Sequence, residues 1–520
     1  MAHRTTLFIL ALSIFLSTHS NVDAQSTAIT WGTAMKNETE EATLFTNSTA
    51  SMKYDILGRK ENEIYVLATK VSVLYRSNEY FFEKYSKDKL ELLLRKPLLL
   101  NDPTMKDVQM AHVGFVNGKV IAFISGTIKK TKNKVLFAKE IAADGAFGAA
   151  SYTLDELGNE KAHKEDEFMV ALSSDNQKIL TYRMGNSQDD KPKEFIVKVY
   201  DPSFKELSKS SYIFSHQNEY TSIVKGWVGK SGNAHILIKT NKGDPKKFLE
   251  YRLISYFLDT KKGAEHLLGA PGKYIGGING TLDSLDNLIF GGFYSDVAKT
   301  GSADGDKLTG AFYTRVDRTS KEIVKNEFNP LSSATIKQLN FGKLNAPIFQ
   351  FNQLNLYLEN NGNLFVFADQ GYAFAPKSLS YATVFDNNIL LVKFNKEGKM
   401  ILEKPIEKAQ KSVNNSTYSG YGYFYCNQKI SFLFMDHPSN VNAFSKKIEM
   451  MDDLKKANLV YVSIEAQGEL KKEVVKSFSL GELFYRPNKE KPEFQLGPNE
   501  LLLYTEKGNQ YKFGKLVLKQ

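Results

Sequence analysis

The feature that most constrains the fold of this chain is a short apolar run, preceded by a polar turn, that recurs eight times. Successive runs are about 55 residues apart at first and 65 to 75 residues apart later. The runs lie at residues 64–69, 120–125, 178–183, 235–240, 288–294, 364–368, 430–435 and 500–504. A regular period in this range indicates a propeller or a solenoid, in which each repeat packs on its neighbours.

Each repeat carries signals for four antiparallel strands. In the fifth repeat, the run at residues 288–294 is followed by a second strand at 311–316, a turn at 317–320 and a third strand. A further strand lies upstream of the run, as at residues 168–172 in the third repeat. Four such strands form a propeller blade, and blades packed on both sides are apolar on both faces. The repeats lack helical periodicity, apart from a predicted helical turn or two near residues 439–458.

The two ends of the chain predict how the ring closes. The eighth repeat reaches residue 520 after its second conspicuous strand and lacks an outer strand. Residues 28–33 form an unassigned strand upstream of the first repeat, and pairing the two ends would remove an exposed sheet edge. We therefore predict an all-β fold, a single β-propeller domain over residues 25–520 with eight four-stranded blades. Seven blades is the alternative, if residues 329–408 are parsed differently.

The first 24 residues have the three parts of a secretory signal peptide. Arg4 gives a positive start, residues 7–16 form a short apolar core, and Val22 and Ala24 place small residues before a cleavage site. No later stretch has the 18 or more apolar residues of a transmembrane helix. The sequence therefore predicts a protein exported to the periplasm or the cell exterior.

The cysteine content and the net charge give further expectations about the protein's stability and its partners. Cys426 is the single cysteine, so we expect no intramolecular disulfide and a buried, inert thiol. The net charge of +10 comes from lysines in polar connections, where they are typical of solvated loops and guarded sheet edges. The alternative is attraction to an acidic surface or polysaccharide. Binding of nucleic acid is not expected, because no binding module for it is recognisable.

Several phrases resemble those of a known group of proteins. Residues 291–296 and 310–317, with 432–440, 499–506 and 512–516, are similar to exported β-propeller proteins that are common in Bacteroidota. That family has no established activity, so the resemblance implies the fold and export but no function. The chain departs from the family at residues 369–372, where Gly371 interrupts an expected acidic-Gln-aromatic triplet.

The sequence contains no recognisable motif for a catalytic site, a metal site or a cofactor. The histidines of the mature chain are scattered singly and lack the spacing of zinc ligands: His112, His163, His216, His235, His266 and His437. The glycine-rich residues 419–423 precede a strand, so we interpret them as an inner strand where glycines permit close backbone approach. Carboxylates around the loop at residues 297–307 could hold calcium, but their irregular spacing favours a solvated loop.

Loop lengths predict which face of the ring binds a ligand. In an up-and-down blade, the first-to-second and third-to-fourth turns share one end, and these are short, as at residues 117–118 and 396–398. The other end carries the long segments at residues 296–307, 331–347, 369–388 and 437–458. Long loops on a rigid scaffold are often functional.

Two classes of function follow. The first is a monomeric, non-enzymatic binding or scaffold protein for a protein or glycan. The residues expected to contact this ligand are Tyr372, Phe374, Tyr381, His437 and Phe444, with Asp304 and Asp306 nearby. The second is a propeller enzyme acting on a glycan or small molecule at the central channel. Carboxylates or histidines at the channel mouth would favour the enzyme, and an aromatic groove would favour binding.

Overall fold

The protein, seen here in a computed structural model, consists of eight antiparallel β-sheets arranged as the blades of a ring. The residues that the structure describes are 28–36, 51–72, 77–158, 167–186, 194–213, 219–242, 249–297, 308–340, 351–374, 383–413, 417–441, 448–465, 467–479, 482–489, 491–508 and 510–518. The leader predicted at residues 1–24 lies outside them.

Each of blades 1 to 7 is built from consecutive strands, ordered from the inside of the ring to the outside. Blade 1 comprises β3 (Ser51–Lys60), β4 (Glu63–Ser72), β5 (Ser77–Ser86) and β6 (Leu92–Pro97). Blade 2 comprises β7 (Met105–Val116), β8 (Lys119–Ile128), β9 (Lys134–Ile141) and β10 (Tyr152–Leu157). Blade 3 comprises β11 (Met169–Leu172), β12 (Ile179–Asn186), β13 (Glu194–Tyr200) and β14 (Glu206–Ile213). Blade 4 comprises β15 (Glu219–Val228), β16 (Ala234–Lys242), β17 (Leu249–Phe257) and β18 (Lys262–Leu268).

The later blades follow the same order with small additions. Blade 5 comprises β19 (Tyr274–Leu282), β20 (Leu288–Ser295), β21 (Gly310–Val316) and β22 (Ile323–Pro330). Blade 6 comprises β23 (Phe351–Leu358), β24 (Leu364–Phe374), β25 (Thr383–Phe394), β26 (Met400–Ile406) and the added β27 (Gln410–Val413). Blade 7 comprises β28 (Gly422–Cys426), β29 (Lys429–Asp436), β30 (Asn458–Ile464) and β31 (Leu470–Ser477).

Blade 8 joins the two ends of the chain, as the sequence predicted. It comprises β32 (Phe484–Tyr485), β33 (Phe494–Gly497), β34 (Glu500–Lys507), β35 (Gln510–Val517) and the N-terminal β1 (Ala28–Trp31) and β2 (Met35–Lys36). Ala28 pairs with Val517 and Trp31 with Gly514. The ammonium of Lys512 lies 4.6 Å from the centre of the Trp31 ring. The eight-blade prediction and the closure by the termini are both confirmed.

The core of the described chain is divided among the interfaces between blades. Eight clusters of buried apolar side chains each join one blade to the next, including the cluster that joins blade 8 to blade 1. Second strands are packed on both faces and are the most buried, and β20 is buried along its whole length. Outer strands such as β14 face solvent on alternate residues. This burial explains why apolar runs mark the second strand of each blade.

The two ends of the ring differ in the length of their loops. On one end, which we call the short-turn face, the first-to-second and third-to-fourth strand turns are tight. At Asn117 and Gly118 the φ angles are 47° and 75°, which suit a two-residue hairpin. One connection there is longer than predicted, at residues 142–151, and it contains the isolated bridge between Ile141 and Phe147. The opposite end, which we call the long-loop face, carries the second-to-third strand loops and the connections between blades.

Several long segments carry secondary structure of their own. The connection after β22 contains α1 (Ser333–Leu339), which was not predicted and whose N-terminus is capped by Ser332. The loop after β29 contains the two short 3-10 helices Pro438–Asn440 and Leu454–Lys456, in agreement with the predicted helical turns. The segment predicted as a loop at residues 369–388 is largely strand, because β24 and β25 extend into it. No helix within the described ranges has the length and apolar character needed to cross a membrane.

Candidate functional site

The candidate site lies at the centre of the ring on the long-loop face, where the inner strands of blades 6, 7 and 8 meet. The inner strand of blade 7 enters through Gly420 and Gly422. A Cβ atom on Gly422 would lie closer than 3.0 Å to Tyr485 Oη and Glu493 Oε1, so only glycine fits there. Gly420 has φ +88° and lies against Gln353 of blade 6. Only residues 422–423 of the predicted inner strand at 419–423 belong to β28, and the groups that approach Gly420 and Gly422 are side chains rather than backbone.

The inner edge of blade 8 is broken between β32 and β33. Residues 486–489 and 491–493, which we call the inner segment, leave the sheet after Arg486, whose N–H still bonds the carbonyl of Tyr504. The segment then reaches the neighbouring blade, where the N–H of Glu493 donates to the carbonyl of Tyr423 at 2.7 Å. The break therefore places polar side chains of blade 8 against the inner strand of blade 7.

Glu493 is the most perturbed acid of the inner segment. Its side chain is 6% exposed. Its carboxylate accepts hydrogen bonds from the Tyr485 hydroxyl and, at 3.2 Å, from the N–H of Asn488. Burial raises the pKa of Glu493 to about 7, although these two hydrogen bonds act in the opposite direction. Glu493 therefore keeps its proton to a higher pH than an ordinary glutamate does.

A buried ion pair lies behind the inner strand of blade 7. Lys408 Nζ is 3.2 Å from Asp369 Oδ2, and both side chains are fully buried. Lys408 also donates to Gln410 Oε1 at 3.0 Å, which accepts the N–H of Gly420 at 2.7 Å. Burial raises the pKa of Asp369 to about 6, Lys408 acts to lower it, and nearby Asp386 raises it further. Lys408 thus links the core of blade 6 to the entry of blade 7.

Strand irregularities explain how these polar groups reach one place. The pairing of β24 with β25 shifts register between Asp369 and Gly371, and the pairing of β23 with β24 shifts between Asn352 and Asn355. Gln353 lies inside the second shift with φ 51°. Bulges of this kind re-aim side chains and are common next to functional sites. Gly371, which the sequence analysis singled out, therefore lies at a change in strand geometry.

Another buried acid in the described chain links two blades. Asp155 on the outer strand of blade 2 binds Arg183 and Lys198 of blade 3, both at 2.7 Å. Asp369 differs from Asp155, because its Oδ1 has no hydrogen-bond partner among the described residues. The hydrogen-bonding capacity of the Asp369 carboxylate is therefore less completely used than that of Asp155.

A cleft of 340 Å³ opens beside the inner segment, between blade 8 and blade 1. One wall is aromatic, with the rings of Tyr54 and Tyr504 4.7 Å apart. Burial lowers the pKa of Lys489, which lines the opposite side. The lining residues are Lys53, Tyr54, Asp55, Ile56, Thr417, Arg486, Pro487, Asn488, Lys489, Glu493, Leu502, Tyr504 and Phe513.

Arg486 and Asp55 in this cleft are already engaged. Arg486 Nη1 lies 3.0 Å from Glu506 Oε2 and donates to the carbonyl of Met52 at 2.8 Å. Asp55 lies 3.7 Å from Lys491 of the inner segment. These contacts fix the cleft walls in place without a ligand, because they join blade 8 to blade 1.

A larger groove of 720 Å³ lies elsewhere on the long-loop face, along the connection from blade 1 to blade 2. It is lined by the chain that crosses between the blades, including Leu99, whose side chain is 68% exposed. This groove is larger than the central cleft, but it lacks the buried polar cluster that adjoins the cleft. We therefore place the candidate site at the centre.

Of the residues predicted to bind a ligand, Tyr372 and His437 have described side chains; both lie on the long-loop face, and neither lines the cleft. Tyr372 is 36% exposed and stacks on Phe385, with ring centres 4.6 Å apart. His437 begins the first 3-10 helix, and its Nδ1 accepts the N–H of Ser439 at 3.3 Å. Phe374 ends β24, and nothing is described of its side chain. The remaining predicted residues lie outside the described residues: Tyr381, Phe444, Asp304 and Asp306.

The predictions for the other reactive side chains can also be checked. His112 and His235 are packed within the fold, and burial lowers the pKa of each to about 4. Cys426 is buried, as predicted, and burial raises the pKa of its thiol. Among the described residues there is no group of three or more side chains suited to hold a metal.

Sequence reasoning missed the central cluster because its members come from distant repeats. Asp369, Lys408 and Glu493 are separated by up to 124 positions and share no motif. One signal was available: Asp386, Asn387 and Asn388 are three consecutive polar residues immediately before the apolar run at residues 389–392. Polar residues in a buried strand mark a place where the fold supplies partners.

Comparisons with known proteins find solved structures of low similarity. No family model matches the chain, and no curated protein matches it. Similar solved structures include the β-propeller domain of the Trilobed protease from Pyrococcus furiosus, at 10% identity and TM-score 0.36, covering 84% of this chain and 100% of that chain. The WD40 domain of SCAP from fission yeast is 9% identical with TM-score 0.38, covering 95% and 98%. The Penicillium chrysogenum alpha-L-arabinanase complexed with arabinobiose is 10% identical with TM-score 0.32, covering 65% and 94%. Likenesses this remote carry no argument about function.

Proposed function

We propose that the protein is an exported, non-enzymatic binding protein that recognises a glycan through its long-loop face. The observation that carries the proposal is the central cleft, whose aromatic wall faces a set of polar and charged side chains. Aromatic faces combined with hydrogen-bonding groups suit sugar rings, which have apolar faces and polar edges. The volume of 340 Å³ is near the lower end of small-ligand pockets, roughly 300 to 1,000 Å³.

Described residues in the loops of blades 6 and 7 are held in place by backbone and side-chain contacts. Strand β27 pairs with β25, and its first residue, Gln410, forms a parallel bridge to Met451 from the loop of blade 7. Asn440, which is 1% exposed, holds the same loop through hydrogen bonds with Glu449 in both directions. A preorganised surface loses less conformational entropy on binding than a mobile one does. The loops of blades 6 and 7 thus extend the proposed binding surface beyond the cleft.

The residues predicted from sequence belong to this extended surface in our proposal. Tyr372 is half-exposed on the extension of β24, and its stacking on Phe385 holds the ring in place. We propose that Tyr372, with Phe374, Tyr381, His437 and Phe444, contacts parts of the glycan that project from the cleft. Asp304 and Asp306 would contribute from blade 5. A monomer suffices for this function, because one ring supplies the whole face.

A second candidate is a hydrolase, and one observation favours it. Glu493 lines the cleft with a pKa of about 7, which suits a general acid or base. However, Glu493, Asp369 and Asp386 each have a carboxylate oxygen bound to another side chain: Tyr485, Lys408 and Ser419, respectively. No histidine lines the cleft in the part of the chain that the structure describes. Binding is therefore the better-supported function.

The direct test is a screen of the mature protein against a panel of oligosaccharides, followed by calorimetry on the ligands found. We expect Tyr504→Leu to weaken binding at least tenfold, because it removes part of the aromatic wall. Lys396→Gln on the short-turn face is the matched control and should bind normally. Binding that survives Tyr504→Leu and Tyr372→Ala but is lost on changes to the short-turn face would refute the proposal. Release of shorter sugars from a bound oligosaccharide would support the hydrolase instead.

Export is tested separately. N-terminal sequencing of protein from the producing cell should begin at Gln25, after cleavage behind Ala24. Recovery of the protein from the cytoplasm with residues 1–24 intact would contradict this part of the proposal.

A further inference from the structure

We infer that the inner segment of blade 8 is a pH-sensitive wall of the central cleft, closed while Glu493 carries a proton and loosened when Glu493 loses it. The inference adds a means of regulation to the site of the proposed function. It rests on that proposal only for the role of the cleft in binding, and its test needs no ligand.

The inner segment supplies one wall of the cleft. Four of its residues line the cleft: Pro487, Asn488, Lys489 and Glu493. The described residues of the segment lie between β32 and β33 and belong to neither strand, so ladder pairing with β34 does not hold them. Loosening of the segment therefore changes the shape of the cleft without breaking the sheet of blade 8.

Glu493 attaches this segment to blade 7. Its N–H donates to the carbonyl of Tyr423 at 2.7 Å, and its carboxylate accepts the N–H of Asn488 at 3.2 Å. A Cβ atom on Gly422 would lie closer than 3.0 Å to Glu493 Oε1, so the carboxyl group packs directly on the inner strand of blade 7. Water can solvate this carboxyl group only if the segment moves away from blade 7.

Glu493 differs from other buried acids in its partners. Several buried acids of the described chain each have a lysine or arginine nitrogen within 3.4 Å: Glu83, Asp155, Glu359, Asp369 and Asp436. Glu493 forms no such ion pair with the described residues, and its carboxylate accepts hydrogen bonds from two neutral groups, the Tyr485 hydroxyl and the N–H of Asn488. A buried charge is costly unless it is paired, so closure favours the protonated form of Glu493.

The other titratable groups around Glu493 leave this preference in place. The three basic side chains of the described segment interact with other acids: Arg486 with Glu506, Lys491 with Asp55, and Lys489 with Asp386 and Asp369. Tyr423 of blade 7 and Tyr485 of β32 face Glu493, and burial raises the pKa of both. Their hydroxyls therefore stay neutral over the range of pH in which Glu493 loses its proton.

The direction of the pH effect follows from these surroundings. Burial raises the pKa of Glu493 from its ordinary 4.5 to about 7, and the two hydrogen bonds only partly oppose this. In an open, hydrated segment the carboxyl group regains its ordinary pKa. The contribution of the proton to closure is therefore complete below about pH 4.5 and is lost as pH rises through about 7. With these two values, the ratio of open to closed segment rises about tenfold between pH 6 and pH 8.

The test is amide hydrogen exchange of the mature protein without ligand, followed by mass spectrometry. The N–H groups of Asn488 and Glu493 are hydrogen-bonded in the closed form, so a peptide spanning residues 486–497 reports on opening. Labelling times are scaled for the pH dependence of the intrinsic exchange rate. We expect the protection of this peptide to fall about tenfold from pH 6 to pH 8. A peptide from β19 in blade 5 is the internal control and should change little.

Three variants assign the effect to Glu493. Glu493→Gln cannot ionise, so its inner segment should show the same protection at both pH values. Tyr485→Phe removes a hydrogen bond that favours the ionised form, so the midpoint of opening should move to higher pH. Glu469→Gln, which changes an exposed glutamate of blade 7, is the matched control and should keep the pH dependence of the mature protein.

The outcomes separate this inference from the proposed function. Constant protection of residues 486–497 between pH 6 and pH 8 would overturn the inference and leave glycan binding in place. An unchanged pH dependence in Glu493→Gln, or an unmoved midpoint in Tyr485→Phe, would show that another group is responsible. An equal loss of protection in β19 would show that the whole ring opens rather than the inner segment. Failure of the oligosaccharide screen would contradict the proposed function without altering these exchange measurements.

Discussion

Replacing Gly422 by alanine should test whether the meeting of blades 7 and 8 depends on the missing side chain. The added Cβ would lie closer than 3.0 Å to both Tyr485 Oη and Glu493 Oε1, and both groups are buried. Neither group can simply rotate into solvent, because Tyr485 is fully buried between the blades and Glu493 is anchored through its N–H to Tyr423. The substitution must therefore displace the inner segment or break the bond between Tyr485 and Glu493.

The expected cost follows from these two effects. Overpacking a well-packed core costs about 1 to 3 kcal/mol. Loss of a buried hydrogen bond to a charged group costs about 1.5 to 3 kcal/mol. Relaxation shares the strain between them, so we expect Gly422→Ala to lower the free energy of unfolding by about 3 to 5 kcal/mol. The same displacement moves Lys489 and Glu493, so ligand binding in the cleft should weaken as well.

The measurement is equilibrium unfolding in urea, detected by the fluorescence of the two tryptophans. Trp31 reports on blade 8 and Trp227 on blade 4. Gly277→Ala is the matched control, an inner-strand glycine of blade 5 whose Cβ would have its nearest contact, Leu354, at an ordinary 3.6 Å. The control should change the free energy of unfolding by less than about 1 kcal/mol. Equal unfolding midpoints for the two variants would refute the packing argument.

Three further predictions concern the ends of the chain and the buried charges. Deleting residues 25–36 should expose the edge of β35 and lower the urea midpoint and solubility, and a truncated protein that unfolds like the mature chain would contradict the closure. Lys408→Met should cost about 3 to 5 kcal/mol in the same urea assay by leaving Asp369 unpaired in the core, and adding Asp369→Leu should recover most of it. Without that recovery, the ion pair would not be the cause. The folded pKa of Glu493 is raised, so its contribution to stability is complete below about pH 4.5 and is lost as pH rises through about 7. We therefore expect the free energy of unfolding of the mature protein to fall between pH 5 and pH 8, and to fall less in Glu493→Gln, which has no carboxyl group to ionise. An equal fall in both proteins would refute the raised pKa of Glu493.

The architecture could be predicted from the sequence because every blade needs the same pattern of buried and exposed strands. Every second strand is packed on both faces, so runs such as residues 288–294 and 430–435 are largely apolar and can be recognised in the sequence. The missing outer strand of the last repeat and the spare strand near Trp31 predicted the closure, since an unpaired sheet edge is unfavourable. Local patterns were enough for these features because they arise within one repeat.

The candidate site could not be predicted in the same way. Lys489, Tyr54 and Thr417 belong to different repeats and meet only because the ring brings blades 7, 8 and 1 together. The bulge at Gln353 and the break between β32 and β33 each occur in one blade only. Such irregular features do not repeat along the sequence, so a periodic pattern cannot predict them. The helix Ser333–Leu339 was missed for a related reason, because seven residues are too few for helical periodicity to be evident.

The pairing of Ala28–Trp31 with the last strand also sets an order of events in folding. During synthesis the N-terminal strand is made first, but its partner around Val517 is made last, so blade 8 cannot form until nearly all of the chain is available. The first seven blades can assemble progressively from neighbouring segments, whereas the final closure joins residues almost 490 positions apart. Late, non-local pairing is slow compared with local contacts. Assembly of the first seven blades before closure would leave an open ring with two free edges, and premature pairing with another copy would be most damaging in such a state.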